Sequence, residues 1–225
     1  MPPTLYAGVK FILKKSDLLS SEQTTNLLDL LNKEFRKSLA CPFTIKSEEV
    51  EGFLVIQDTW RFPEIIQLIT LEFNVACPRY ALGIGNLTTN FDPEENIDGP
   101  LLKTMNKALK MASTGERDVA VRLPSPFLTR LINTLFSIES DLRNDWSEAH
   151  REAIKLAKQG LTQVEIAQAL GVTQAAISQR LKHARWERYL EVTKTIQELL
   201  TQVRWKTLLP WDIRKERKKR KKQRA

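Results

Sequence analysis

The sequence predicts an α+β layer followed by an all-α unit. Three observations carry that prediction. Strand-like and helix-like apolar patterns run in the order β-α-β-β-α-β and end, by residue 123, on a further helix and a short strand. Beyond Pro124 no strand pattern returns. Residues 147–183 then space their capping residues and glycines as three short helices require. The expected divisions are an α+β domain at 1–123, a bridging helix at 124–143, a helical unit at 144–204 and a basic tail at 205–225.

Residues 4–13, TLYAGVKFIL, read as a mostly buried strand. SEQTTNLLDLLNKEFRKSL follows as a helix with Leu27, Leu28, Leu31, Phe35 and Leu39 on one face and Ser20 or Ser21 as its N-cap. FTIKSEEVEGFLVI, 43–56, reads as a β-hairpin with an acidic tip, and FPEIIQLITLEF, 62–73, as a second helix with Pro63 in its first turn. YALGIGNLTT, 80–89, is another buried strand, in which Gly83 and Gly85 allow a helix to approach. A loop at 91–100 leads into a helix opened by Pro100 and then a last strand at 119–123. The order is that of a ferredoxin-like or nucleotide-cyclase-like sandwich, with helices on one face of an antiparallel sheet. A helix at 126–142 bridges this layer to the all-α unit.

The 225 residues, 42% hydrophobic and 28% charged, have the composition of a soluble globular protein. The start shows no signal-peptide pattern, no stretch approaches a membrane span, and Cys41 and Cys77 stand alone; a cytoplasmic protein is the expectation. The net charge of +8 is unevenly placed: residues 1–140 hold 15 Lys+Arg against 17 Asp+Glu, and residues 141–225 hold 20 against 10. Nine of the basic residues lie in RKERKKRKKQRA, 214–225. That run has too little apolar content to fold and suits a polyanion such as nucleic acid.

In SEAHREAIKLAKQGLTQVEIAQALGVTQAAISQRLKH, 147–183, Gly160 ends a first helix and Thr162 with Glu165 forms a capping box for a second. Gly171 supplies the next turn and Thr173 caps a third helix. Ala167 is small where the helices cross, and Ile166, Leu170, Val172, Ile177 and Leu181 fill the space between them. This is helix-turn-helix spacing, which implies a third helix laid in the major groove of double-stranded DNA. Thr173, Gln174, Ser178 and Gln179 are the candidates for base edges; Arg180, Lys182, His183 and Arg185 are those for phosphates. The apolar stripe Tyr189, Val192, Ile196, Leu199 and Val203 within 186–203 either pairs two copies as a homodimer or packs on the rest of the chain.

These features together resemble the bacterial SatD family, in which a cyclase-like α+β domain precedes a helix-turn-helix similar to sigma-factor region 4. The resemblance rests on YALGIGNLTT, on DGP at 98–100 before a helix, on the 43–56 hairpin and on the helix-turn-helix, and it extends to about residue 203. It implies a first strand like "GDI" and a hairpin like "GDEFQG". Here Gly8, Val9 and Lys10 stand at the first place, and Ser47, Glu48, Glu49, Val50, Glu51 and Gly52 at the second. The first aspartate is replaced by Val9, which removes one wall of a two-carboxylate metal site. Glu48 and Glu49 remain weak metal candidates, no cofactor is expected, and no nucleophile, triad or phosphate-cradling motif argues for an enzyme. The expectation is a DNA-binding transcriptional regulator with a non-catalytic first domain. Its rivals are a nucleotide- or ligand-sensing module and a sigma-like adaptor that binds RNA polymerase rather than DNA.

Overall fold

The structure is a computed structural model that describes residues 4–12, 20–46, 49–73, 78–87, 99–114 and 117–203. Most of the expected 91–100 loop, Glu48, Cys77 and the basic tail lie outside those residues. Within them the chain is α+β: one five-stranded mixed sheet and eight α-helices. The strands are β1 (Leu5–Ile12), β2 (Leu39–Lys46), β3 (Glu49–Val55), β4 (Arg79–Asn86) and β5 (Val119–Arg122). The helices are α1 (Ser21–Glu34), α2 (Phe62–Phe73), α3 (Pro100–Thr114), α4 (Pro126–Asn144), α5 (Glu148–Lys158), α6 (Gln163–Leu170), α7 (Gln174–His183) and α8 (Trp186–Gln202).

The sheet order is β2-β3-β1-β4-β5. β1 is central and antiparallel to both β3 and β4, whereas β5 lies parallel to β4. The expectation of an antiparallel sheet with helices on one face therefore needs correcting. A parallel neighbour requires a crossover, and α3 makes it on the opposite face from α1 and α2. Alternation along the strands sorts the side chains accordingly. Ala7, Val9, Phe11, Tyr80, Leu82, Ile84, Val119 and Val121 enter one core with Leu27, Leu31 and Phe35 of the first helical segment and Ile65, Ile66 and Ile69 of α2. Gly8, Gly83 and Gly85 face α3: a Cβ on Gly83 would come within 2.9 Å of the Met105 backbone nitrogen, and one on Gly85 within 2.9 Å of Leu101 Cα. Their missing side chains are what let the helix lie against the strands.

Both sheet edges are closed by an asparagine. In β2 the pairing with β3 slips between Cys41 and Thr44, around Pro42, as an edge strand allows. There the Asn32 side chain accepts from Phe43 N at 2.6 Å and donates to Phe43 O at 3.0 Å. On β5, Asn133 of α4 accepts from Val121 N at 2.8 Å and donates to Val121 O at 2.9 Å. Each amide satisfies backbone groups that the missing neighbour strand leaves open. The expected helix through Leu39 stops at Glu34, and Leu39 begins β2 instead. A 3-10 turn, Ile56–Arg61, leads from β3 into α2 and had no signature in the sequence pattern.

The helical part is attached through its flanks. Ile132 and Phe136 of α4 and Ile196 and Leu200 of α8 join the sheet's core. The stripe expected either to pair two copies or to pack on the chain does the second: Ile196 is buried in the sheet's core with Val192, Leu199 and Val203 packed against it, and Tyr189 is buried with Trp146 and Trp186. Pairing of two copies through 186–203 would have to use another face of the helix. Between α4, α8 and the sheet lies a buried ion pair, Arg143 Nε to Glu139 Oε1 at 2.9 Å, with the guanidinium 5.8 Å from the Tyr80 ring centroid. Burial opposes the charge on Arg143, but Glu139 beside it holds the guanidinium protonated.

Candidate functional site

The three-helix unit is built by local sequence. Ser147 caps α5, and His150 reciprocates, its Nδ1 accepting from Ser147 N; His150 is thus a capping residue. At α6 the Glu165 carboxylate accepts from Thr162 N and Oγ1, both at 2.7 Å. Those backbone and hydroxyl hydrogen bonds hold the Glu165 carboxyl below the usual glutamate range. Gly171 takes φ +64°, the left-handed conformation its turn needs, and Thr173 Oγ1 accepts from Ala176 N to start α7. Ala153, Ile166, Ala167 and Ile177 form the buried centre, with Leu170, Val172 and Leu181 around it.

The far end of α7 is fixed by aromatic packing. Trp146 Nε1 donates to Ala184 O at 3.0 Å, and Trp146, Trp186 and Tyr189 lie ring against ring at 4.7–6.0 Å between centroids. Arg185 turns the chain into α8 with φ +51°. Its guanidinium, half exposed, pairs with Asp145 on the surface.

What α7 presents outward is then well defined. Thr173, Gln174, Ser178, Gln179, Lys182 and His183 are exposed, and Arg180 is half-buried. Among the described residues, the side chains of Gln174, Ser178, Gln179, Lys182 and His183 make no hydrogen bond or ion pair, and α7 carries no acid. The arrangement is a rigid helix whose one face offers amides, hydroxyls and cations to a polar, anionic surface.

The acidic hairpin resolves differently. β1 and β3 pair with Lys10 opposite Glu51 and Val9 opposite Gly52. Val9 points into the core with α1 and α2, so the β1 residue that meets the acidic face is Lys10. Its ammonium donates to Glu49 Oε2 at 2.8 Å and to Asn106 Oδ1 at 3.2 Å, and stands 3.2 Å from Glu51 Oε2. Burial works against this charge, yet the hydrogen bond with Glu49 and the charges of Glu51 and Glu49 keep the lysine above its ordinary range. The lysine occupies the space between the carboxylates where a cation would be held. Nothing in the family pattern pointed to this role, which follows from the β1–β3 register that sets Lys10 opposite Glu51.

No helix among the described residues is long and apolar enough to cross a membrane. The fold and these two regions define a class: an α+β protein whose sheet and terminal helices share a core, with a compact three-helix unit held between the last two of them. The chain belongs to the SatD family, whose model matches residues 9–200. Comparison with curated proteins returns no match, and comparison with solved structures returns none.

Proposed function

We propose that this chain is a DNA-binding protein, a transcriptional regulator in which α5–α7 act as a helix-turn-helix. The observation that carries the reading is the outward face of α7: polar, basic, free of acids and, among the described residues, without a side-chain partner. The sheet, with β1 central and β5 parallel to β4, is read as a nucleotide-cyclase-like layer that serves as a scaffold. Lys10 between Glu49 and Glu51 supports a non-catalytic role for it, since the ammonium already balances the charge that would hold a metal against a triphosphate.

Gln174 and Gln179 are assigned to base edges, where a glutamine can pair bidentately with adenine, and Arg180, Lys182 and His183 to phosphates. The basic run 214–225 adds sequence-independent affinity. Selection of bound fragments from random-sequence duplex DNA tests the reading. Gln174→Ala with Gln179→Ala should erode preference for the selected site by about 1–3 kcal/mol per lost base contact. Removal of 214–225 should weaken binding to all duplexes alike and flatten its salt dependence. An absence of duplex binding at low salt would sink the proposal and turn attention to an adaptor role on RNA polymerase.

A further inference from the structure

We infer that the cleft between α1, α2 and α8 binds a small zwitterion of the free amino-acid class with an apolar side chain. The cleft encloses about 390 Å³, within the range of small-molecule sites, and Lys158 at the end of α5 also lines it. Its most telling residue is Gln67, on the inner face of α2. The residue is 9% exposed, and among the described residues its side-chain amide has no hydrogen-bond partner. A primary amide on a largely buried residue, open at a cleft wall with an unused donor and an unused acceptor, is a ready contact for a polar ligand.

The charges around it narrow the chemistry. Glu64 is committed to Arg61 at 2.9 Å and to Gln197 at 3.0 Å. Glu72, outside the cleft, is committed to Lys155. Lys158 has Glu64, Glu34 and Glu72 as its carboxylate neighbours, yet among the described residues it forms an ion pair with none. That leaves one uncommitted carboxylate, Glu34, and one uncommitted ammonium, Lys158, both lining the cleft that Gln67 lines. An α-amino acid matches this set: its ammonium meets Glu34 and the amide oxygen, and its carboxylate meets Lys158 and the amide NH₂. Leu68 and Leu190, the latter 44% exposed, supply the apolar surface for a side chain. A nucleoside triphosphate fits poorly, because its phosphates would face Glu34 and Glu64 with a single lysine to balance them.

Calorimetric titration of the full chain with each proteinogenic amino acid, at millimolar concentration and without nucleic acid, is the test. Leucine or a similarly apolar amino acid should bind. 4-Methylpentanoate, lacking the ammonium, and 3-methylbutylamine, lacking the carboxylate, should bind at least about tenfold more weakly. Gln67→Leu and Lys158→Met should each weaken binding by about tenfold or more. Lys158 is exposed, so that variant keeps the experiment informative should Gln67→Leu fail to fold. The inference is overturned if no amino acid binds, if either truncated compound binds as well as the amino acid, or if Lys158→Met binds as wild type does. None of these outcomes bears on DNA binding, which is measured separately.

Discussion

Replacing Lys10 by methionine keeps the length and the apolar stem of the side chain and removes only the ammonium that lies between Glu49 and Glu51. The two carboxylates then face each other across a partly buried surface. The lysine side chain is 9% exposed, that of Glu51 13% and that of Glu49 43%. Removing one member of a fully buried pair costs about 3–5 kcal/mol. Glu49 can turn to water and recover most of its hydration, while Glu51 cannot, so the expected loss is about 2–3 kcal/mol. For a chain of this size that lowers the Tm by roughly 5–10 °C. The pH dependence follows from the sign of the shift. In the wild type, Lys10 is held above its ordinary value, so its contribution is complete below about 10.4 and fades only as pH rises through the higher folded value. Urea denaturation of wild type, Lys10→Met and Lys10→Met/Glu51→Gln at neutral pH measures the loss, and the double variant should recover part of it. A single variant within about 0.5 kcal/mol of wild type would refute the account of Lys10 as the carboxylates' counter-ion.

The hydroxyls of Tyr80 and Tyr189 are buried without a hydrogen-bond partner among the described residues. Tyr80→Phe and Tyr189→Phe should therefore leave thermal stability unchanged or raise it, and a loss above about 1 kcal/mol by denaturant titration would reveal a bond that the geometry lacks. Asn133→Ala strands Val121 N and O on the sheet edge, and at roughly 1–3 kcal/mol for each buried group the loss should be about 2–4 kcal/mol, read from the urea midpoint. Gly171→Ala meets no atom within 4 Å but forces an alanine to φ +64°, so a loss of about 1–2 kcal/mol is expected from conformation alone.

What the sequence disclosed and what it hid divide by distance along the chain. The capping box at Thr162, the left-handed Gly171 and the Thr173 cap depend on neighbours a few residues away, and all three are present. The close approach read into Gly83 and Gly85 is also there, against α3. Leu39 reads as helical because its apolar spacing continues the face of Leu31 and Phe35, while the strand that claims it is defined by a partner, Leu54, 15 residues on. The parallel β5 and the side of the sheet taken by α3 are long-range choices that no local pattern encodes. Lys10 was hidden for a different reason. The motif position of the family's aspartate falls on Val9, whereas the pairing of β1 with β3 decides which side chain meets the acids.

The helices α4 and α8 pack on each other and both sink residues into the sheet's core, while α5, α6 and α7 lie in sequence between them. In topological terms the three short helices form an excursion that leaves one body and returns to it at nearly the same place. Neither a cut before α4 nor one after α7 would release an autonomous module, because each would strip apolar side chains from the sheet and bare its face. The same double tether bears on motion: a hinge on a single linker is absent, and any tilt of α7 must be shared by two helices anchored side by side. Substitutions among the outward side chains of α7 leave both anchors untouched.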